Sequence, residues 1–489
     1  MCVLAVDAGT SMIKTVVFDD DGTELAVIRQ PTEVNRPRGG WAEQDMVRVW
    51  NAVMFTVREA RTKAPDPIKL LALTAQGDGC WLVDDAGRPT GPAVLWSDAR
   101  ATEIVEAWRA DGTLTEGFRR NGSLTFAGLP NAVLRWFAAH DPDRLARSSA
   151  ALTCGGWLFL QLTGEVAVDV SDASAPLLDP STRRYSDELC ELFGLGPLTR
   201  LLPPVRDDDE RVAGLRPEAA TDLGLPAGLP VVLAPYDIAS TAIGCGAVSP
   251  GQACTILGTT LCTEVVSDDL AAALAADEPS GLSIAFGPDG LLRAYPTLAG
   301  TEVLVWAAEL LDLDSPQRLV DAAASVDSAP GLTFLPYLSP AGERAPILEP
   351  RARGTVWGLT LEHGRAHVAR AVLEGLTMVI RDCLQASQLA ATEIRLCGGG
   401  ARNDHWTRLI ADVTGVRVIR SADSEVGAKG AFLTGLVATG EEPGLAAAAD
   451  GRLRLREPWP PDPGRRDHYA ERYRDFIELR SVSRRGWRR

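Results

Sequence analysis

Residues 3–18 read VLAVDAGTSMIKTVVF. Val3 to Val6 is an apolar run of the buried-strand type, Asp7-Ala8-Gly9-Thr10-Ser11 is a tight polar turn, and Ile13 to Phe18 is a second strand. Asp19-Asp20-Asp21-Gly22 is a hairpin turn, and Glu24 to Arg29 supplies a third strand. The same grammar returns at residue 253. Ala253 to Leu257 is a strand, Gly258-Thr259-Thr260 a turn, and Leu261 to Val266 another strand. One such hairpin carries little information, but two at the heads of similar halves predict a duplicated α/β architecture with a boundary near Ala247–Pro250.

Working outward, Gln44 to Ala60 carries Met46, Val47, Val49, Trp50, Val53, Met54 and Val57 at helical spacing. Strands follow at Leu70 to Ala75 and Trp81 to Val83. Residues 176–230, rich in Pro, Asp and Leu, read as an insertion of short elements in a first domain of 1–248, and 249–489 forms the second. Arg480 to Arg489 reads as a basic, solvated end.

The chain has 489 residues, 46% hydrophobic and 23% charged, with a net charge of −16. That acidity argues against nucleic acid or an anionic membrane as the main partner, since phosphate surfaces reward Lys and Arg. No apolar run reaches the ~18 residues of a membrane span, and no basic leader precedes the first strand, so a cytoplasmic location is expected. Nine cysteines include no C-x-x-C pair and read as small core side chains. His363 and His367 lack the glutamate of an H-E-x-x-H zinc helix and read as helix-start residues. A Walker lysine loop, a first-strand G-x-G-x-x-G and a G-x-S-x-G elbow are all absent.

What the sequence offers instead is three glycine corners, each beside a strand. In the first, Gly9 lets an anion approach the backbone, and Thr10 and Ser11 supply donors. Asp7 beside a phosphate makes chemical sense when it holds Mg²⁺. Gly258-Thr259-Thr260 repeats the Gly-Thr chemistry, and Gly398-Gly399-Gly400 ends the strand Ile394 to Cys397. Together they predict one nucleotide-phosphate cleft between two lobes.

These residues resemble the FGGY carbohydrate kinases over nearly the whole chain. The likeness rests on Asp7 to Ser11, Gly40-Trp41-Ala42-Glu43-Gln44, Ala75-Gln76-Gly77-Asp78-Gly79 and Leu95-Trp96-Ser97-Asp98-Ala99-Arg100. It continues through Tyr236-Asp237-Ile238-Ala239-Ser240, Gly342-Glu343-Arg344-Ala345-Pro346, Arg370 to Gly375, and Gly398 to Trp406. The resemblance implies an α/β fold of two ribonuclease-H-like, actin/hexokinase-type lobes around a cleft, with ATP and Mg²⁺ as cofactors. It places Asp7, Gly9, Thr10 and Ser11 in the first phosphate loop, with Asp7 near the metal, and Gly258, Thr259 and Thr260 in the second. Gly399, Gly400, Ala401 and Asn403 resemble the adenosine-binding motif. Gln76, Gly77, Asp78, Trp96, Asp98 and Arg100 occupy the stretch that meets the sugar, and Asp237 matches the catalytic base.

The residues themselves support Asp237, which stands just past the apolar run Val231 to Ala234 and before a small-residue segment. A sugar hydroxyl is a weak acid, and an aspartate that orients it and takes its proton late suits phosphoryl transfer. Trp41, Trp81 and Trp96 are candidates for a flat wall against a polyol. The expected reaction is phosphorylation of a terminal hydroxyl on a small ketose such as xylulose or on an erythritol-type polyol. Alternatives are a sugar acid, which Arg100 would favour, or a non-catalytic sugar or nucleotide sensor. A homodimer is expected by analogy. The chain departs from the family pattern at Asn131-Ala132-Val133-Leu134, at Cys154-Gly155-Gly156-Trp157 and at Gly77-Asp78. Those changes bear on the sugar and leave the phosphate loops intact.

Overall fold

A computed structural model describes residues 1–275 and 279–487. In the first lobe, β1 (Cys2–Ala8), β2 (Met12–Phe18) and β3 (Glu24–Pro31) form an antiparallel meander. Helix α1 (Met46–Lys63) crosses to β4 (Ile68–Ala75), which pairs parallel with β1. After α2 (Val170–Leu177), β5 (Val212–Gly214) and β6 (Pro230–Leu233) complete a six-stranded sheet of order β5-β6-β4-β1-β2-β3. Helix α3 (Asp237–Cys245) leads into the second lobe.

There β7 (Gln252–Leu257), β8 (Leu261–Ser267), β9 (Leu282–Phe286) and β10 (Gly290–Pro296) precede α4 (Arg365–Ala386) and β11 (Glu393–Cys397). They are followed by α5 (Asp404–Thr414), β12 (Arg417–Arg420), α6 (Val426–Ala438) and α7 (Arg466–Trp487). The second sheet has the order β9-β10-β8-β7-β11-β12. Both sheets share a core path, a hairpin extended by a third antiparallel strand and then two strands parallel to the first; the second sheet adds β9 outside β10, and the first adds antiparallel β5 at its other edge. The duplication seen in the two Gly-Thr hairpins is therefore a duplication of topology.

Strand β1 is apolar at successive positions because both its faces are covered. Cys2, Leu4 and Val6 pack with Val49, Val53 and Val57 of α1, while Val3 and Ala5 share a core with Ala428 and Phe432 of α6. That second core also takes in Ala242 of α3 and Cys254 of β7, so it runs from one lobe into the other. Helices α3 and α6 cross at backbone contact. A Cβ on Gly244 would lie 1.8 Å from the Val426 carbonyl oxygen, and one on Gly430 1.8 Å from that of Ser240.

Several expectations are corrected. Gln44 lies in a short strand, and α1 starts at Met46 behind the Asp45 N-cap, whose carboxylate accepts from Val47 and Arg48 N–H at 2.9 and 3.2 Å. Val47, assigned to the apolar face, is half exposed. The insertion cannot extend to residue 230, because β5 already pairs with β6 at the edge of the main sheet. The basic end is also misread. Residues 480–487 finish α7, where Arg480 pairs with Asp382 and Trp487 packs edge-on against Tyr337; residues 488–489 lie outside the described residues. Among the described residues no helix is long and apolar enough to cross a membrane.

Candidate active site

A cavity of about 370 Å³ lies between the lobes. From the first lobe it is lined by Asp7, Gly9 and Thr10 at the β1–β2 turn, by Gly77 and Asp78 after β4, by Trp96, and by Tyr236 and Asp237 at the start of α3. From the second come Gly258, Thr259 and Thr260 at the β7–β8 turn, together with Arg344. The two topologically equivalent turns thus face one space, with Asp237 beside both.

Asp237 is the first residue of α3, and its carboxylate accepts from the Ile238 N–H at 2.8 Å. Burial, reinforced by the nearby Asp7 charge, pushes its carboxyl up to about 7. Asp78 sits at φ 57°, its N–H donating to the Asp172 carboxylate at 3.0 Å. Burial raises its carboxyl to about 7 as well, against the pull of Arg344. Gly77 must be glycine: a Cβ there would stand 1.9 Å from the Tyr236 ring.

Asp7 is held in a crevice between β1 and the start of α6. Lys14, its register partner on β2, lies 3.5 Å away and also reaches Glu425 at 3.0 Å. Burial is the largest influence on Asp7 and raises its carboxyl; Lys14 opposes it. An oxygen donor lining this cavity is a hard ligand, of the type magnesium takes together with waters.

A polar chain ties the Gly9–Thr10 turn to Trp96, Gln76 and Gln44. The Trp96 indole N–H donates to Thr10 Oγ1 (3.0 Å), and the Thr10 hydroxyl donates to Gln76 Oε1 (2.7 Å). The Gln76 amide donates to Gln44 Oε1 (2.7 Å), and Gln44 donates back to the Thr10 carbonyl (2.7 Å). Gln76, expected at the sugar, is therefore spent on internal partners and does not line the cavity. Asp98 and Arg100 are also corrected. Their side chains are 0% and 2% exposed and pair with each other at 2.9 Å, Arg100 adding Glu43 at 2.7 Å. Trp41 lies over the Arg100 guanidinium and Trp81 is in the core, so of the three tryptophans only Trp96 forms a wall.

Ser11 is exposed at the rim, its carbonyl accepting from the Thr32 N–H. Gly399, Gly400, Ala401 and Asn403 lie outside the 370 Å³ cavity but adjoin the second turn. A Cβ on Gly398 would meet the Leu257 carbonyl oxygen at 2.6 Å, while Gly399 faces open space. Asn403 caps α5 by accepting from the Trp406 N–H at 3.1 Å.

Arg344 is a site residue to which the sequence reading gave no role, although the block Gly342 to Pro346 carried the signal. Glu343 is buried and accepts backbone N–H groups from Leu298, Ala299 and Arg344 at 2.7, 3.2 and 2.9 Å, which fixes the loop. Arg344 then donates to the Pro296 carbonyl at 2.8 Å and extends over Trp96 and Phe126.

Comparison with known proteins agrees with this geometry. Residues 2–244 match the N-terminal domain, and residues 253–439 the C-terminal domain, of the FGGY family of carbohydrate kinases. The chain is 32% identical to an erythritol kinase of Brucella abortus, over 98% of this chain and 95% of that protein. It is 31% identical to a xylulose kinase of Escherichia coli, over 97% and 98% of the two chains. The solved xylulose kinase of Rhodospirillum rubrum superposes with a TM-score of 0.90 at 27% identity, over 100% of both chains. With both domains matched in order and the two Gly-Thr turns meeting at one cavity, the chain belongs to the FGGY family of carbohydrate kinases and is an ATP-dependent sugar or polyol kinase.

Proposed function

We propose that the acceptor is a neutral ketose or polyol of four or five carbons, phosphorylated on a terminal hydroxyl with Asp237 as the base. The observation that carries this is the pairing of Asp78 and Asp237 in a cavity of only about 370 Å³, which must also admit the γ-phosphate. Two carboxylates against one guanidinium disfavour a carboxylated ligand and supply acceptors for several hydroxyls. Arg100, which would have favoured a sugar acid, is committed to Asp98 and Glu43. Two specific relatives, an erythritol kinase and a xylulose kinase, carry names of this substrate class.

In the proposed step the acceptor hydroxyl attacks the γ-phosphorus. A new O–P bond forms, the bond from γ-phosphorus to the β–γ bridging oxygen breaks, ADP departs, and the hydroxyl proton passes to Asp237. The Thr10 backbone N–H on one side and backbone and hydroxyl donors at Gly258–Thr260 on the other hold the phosphates, where preorganised donors stabilise developing charge. Asp7 is the residue that would hold Mg²⁺, which when bound supplies charge neutralisation at the β- and γ-phosphates. Gly399, Gly400, Ala401 and Asn403 provide an open shelf for the nucleoside beyond the second turn. A coupled ADP-release screen with xyluloses, ribulose, erythritol, ribitol, xylitol, glycerol and gluconate tests the class. Turnover of a pentulose or tetritol above gluconate supports it, and a preference for gluconate overturns it.

Arg344 is a positioning group for the acceptor in this reading. Arg344→Met keeps the stem over Trp96 and removes the donors. Loss of a charge-assisted hydrogen bond of about 1.5–3 kcal/mol predicts a KM for the acceptor raised by roughly 10- to 100-fold, with the KM for ATP little changed. An equal effect on both substrates would contradict the assignment.

The raised Asp237 carboxyl makes a pH prediction. A base must be deprotonated, so kcat/KM for the acceptor rises with pH through about 7 and levels off above it. A profile that is flat from pH 5 to pH 8 would remove Asp237 as the titrating base.

A further inference from the structure

Phosphoryl transfer leaves a cluster of three thiols without a role. Cys245 ends α3, Cys254 lies within β7, and Cys397 ends β11. All three are buried and free, and their sulfur atoms lie within 4.8 Å of one another. A tetrahedral zinc centre with Zn–S bonds of about 2.3 Å holds its sulfurs roughly 3.8 Å apart. The trio is therefore already gathered to within about an ångström of such a sphere, from three elements that are distant in sequence.

Two charged neighbours are incompletely satisfied: Glu264, and Arg395, whose Nη2 pairs with Glu393 at 2.5 Å. Glu264 on β8 and Arg395 on β11 are the register partners of Cys254 on its two flanking strands, so their side chains share its face of the sheet. Glu264 is fully buried, and neither carboxylate oxygen has a hydrogen-bond partner. A buried carboxylate without a hydrogen-bond partner is costly. Arg395 is also buried, with Nε and Nη1 unpartnered, and its guanidinium carbon lies 3.9 Å from the point where a Cβ on Gly246 would stand, next to Cys245. A trithiolate–zinc unit is an anion with one open position. Glu264 is the acid on that face of the sheet, and Arg395, paired with Glu393 through Nη2, keeps two unpartnered nitrogens beside the thiols.

We propose that Cys245, Cys254 and Cys397 form a structural site for a soft divalent cation, zinc; Glu264, on the same sheet face as Cys254 but outside the 4.8 Å cluster, is the acid that a side-chain shift would bring to the fourth position. Binding displaces the thiol protons to solvent and changes no oxidation state. The site fastens the end of the Asp237 helix to the two strands that run into the Gly258 and Gly398 turns. Its role is to brace the junction of α3 with β7 and β11, and it is independent of which sugar is phosphorylated.

The test is metal analysis of the full-length protein purified under reducing conditions without chelator. One zinc per chain is expected, and stripping it should lower the melting temperature. Cobalt(II) added to the stripped, reduced protein should give a thiolate-to-cobalt charge-transfer band that Cys254→Ser weakens or abolishes. Should Cys254→Ser fail to fold, the wild-type cobalt spectrum decides. Absence of both stoichiometric zinc and the charge-transfer band overturns the proposal. So does a disulfide between any two of the three cysteines in the protein as isolated.

Discussion

Asp237→Asn is expected to lower kcat by roughly 10²- to 10⁴-fold, the range of a lost general base, while ATP still binds. The amide keeps the size and can still accept the Ile238 N–H, but it cannot take the acceptor's proton. Loss of activity alone would not separate this from damage to the fold, and linkage supplies the control. The Asp237 carboxyl is raised from its ordinary 3.8 to about 7 by burial and by Asp7. Between those values the native state holds a proton that the unfolded state has released, so stability falls as pH rises through this window. Above about pH 7 the buried charge is a full cost. The variant should therefore equal or exceed the parent in melting temperature at pH 8, with a smaller gain at pH 5. An inactive variant that is less stable at pH 8 would point to a structural role.

The second large effect belongs to a residue that touches no ligand. Gly430→Ala places a methyl group 1.8 Å from the Ser240 carbonyl oxygen and 2.6 Å from its carbon, both backbone atoms. No rotamer relieves that contact, so α3 and α6 must separate. Overpacking of this kind costs about 1–3 kcal/mol or more. Because α3 carries Asp237 at its start, the displacement also reaches the base, and a shift of about 1 Å can cost on the order of 10²-fold in rate. Gly430→Ala is expected to lose both stability and kcat. Gly39→Ala, at a position with open space around its Cβ, should lose neither. Wild-type behaviour of Gly430→Ala in denaturant melts and turnover would show that the helix crossing is not a constraint.

The two lobes were readable in the sequence because β1–β2 and β7–β8 combine apolar strands with a Gly-Thr turn, a pattern local in the chain. That the two Gly-Thr turns and Asp237 share one cavity was readable for the same reason. The substrate side was read less well. A polar residue after a strand can face a ligand or a neighbouring side chain, and periodicity does not distinguish them. Gln76 faces Thr10 and Gln44, and Asp98 faces Arg100. Arg344 reaches the cavity from the other lobe, on a loop whose placement depends on Glu343 accepting distant backbone N–H groups. Strand β5 has only three residues, too few for a period to register. In α7, Tyr469, Tyr473 and Phe476 keep helical spacing, but the surrounding arginines obscure that apolar stripe.

The central claim is that the Gly9–Thr10 and Gly258–Thr260 turns grip one triphosphate from opposite lobes, with Asp237 at the acceptor. A crystal structure with a non-hydrolysable ATP analogue, Mg²⁺ and the best acceptor from the ADP-release screen tests it directly. The γ-phosphate is expected between the two turns, the metal on the Asp7 side, and a terminal hydroxyl hydrogen-bonded to the Asp237 carboxylate. A triphosphate bound away from either turn, or an acceptor whose hydroxyls do not reach Asp237, would contradict it.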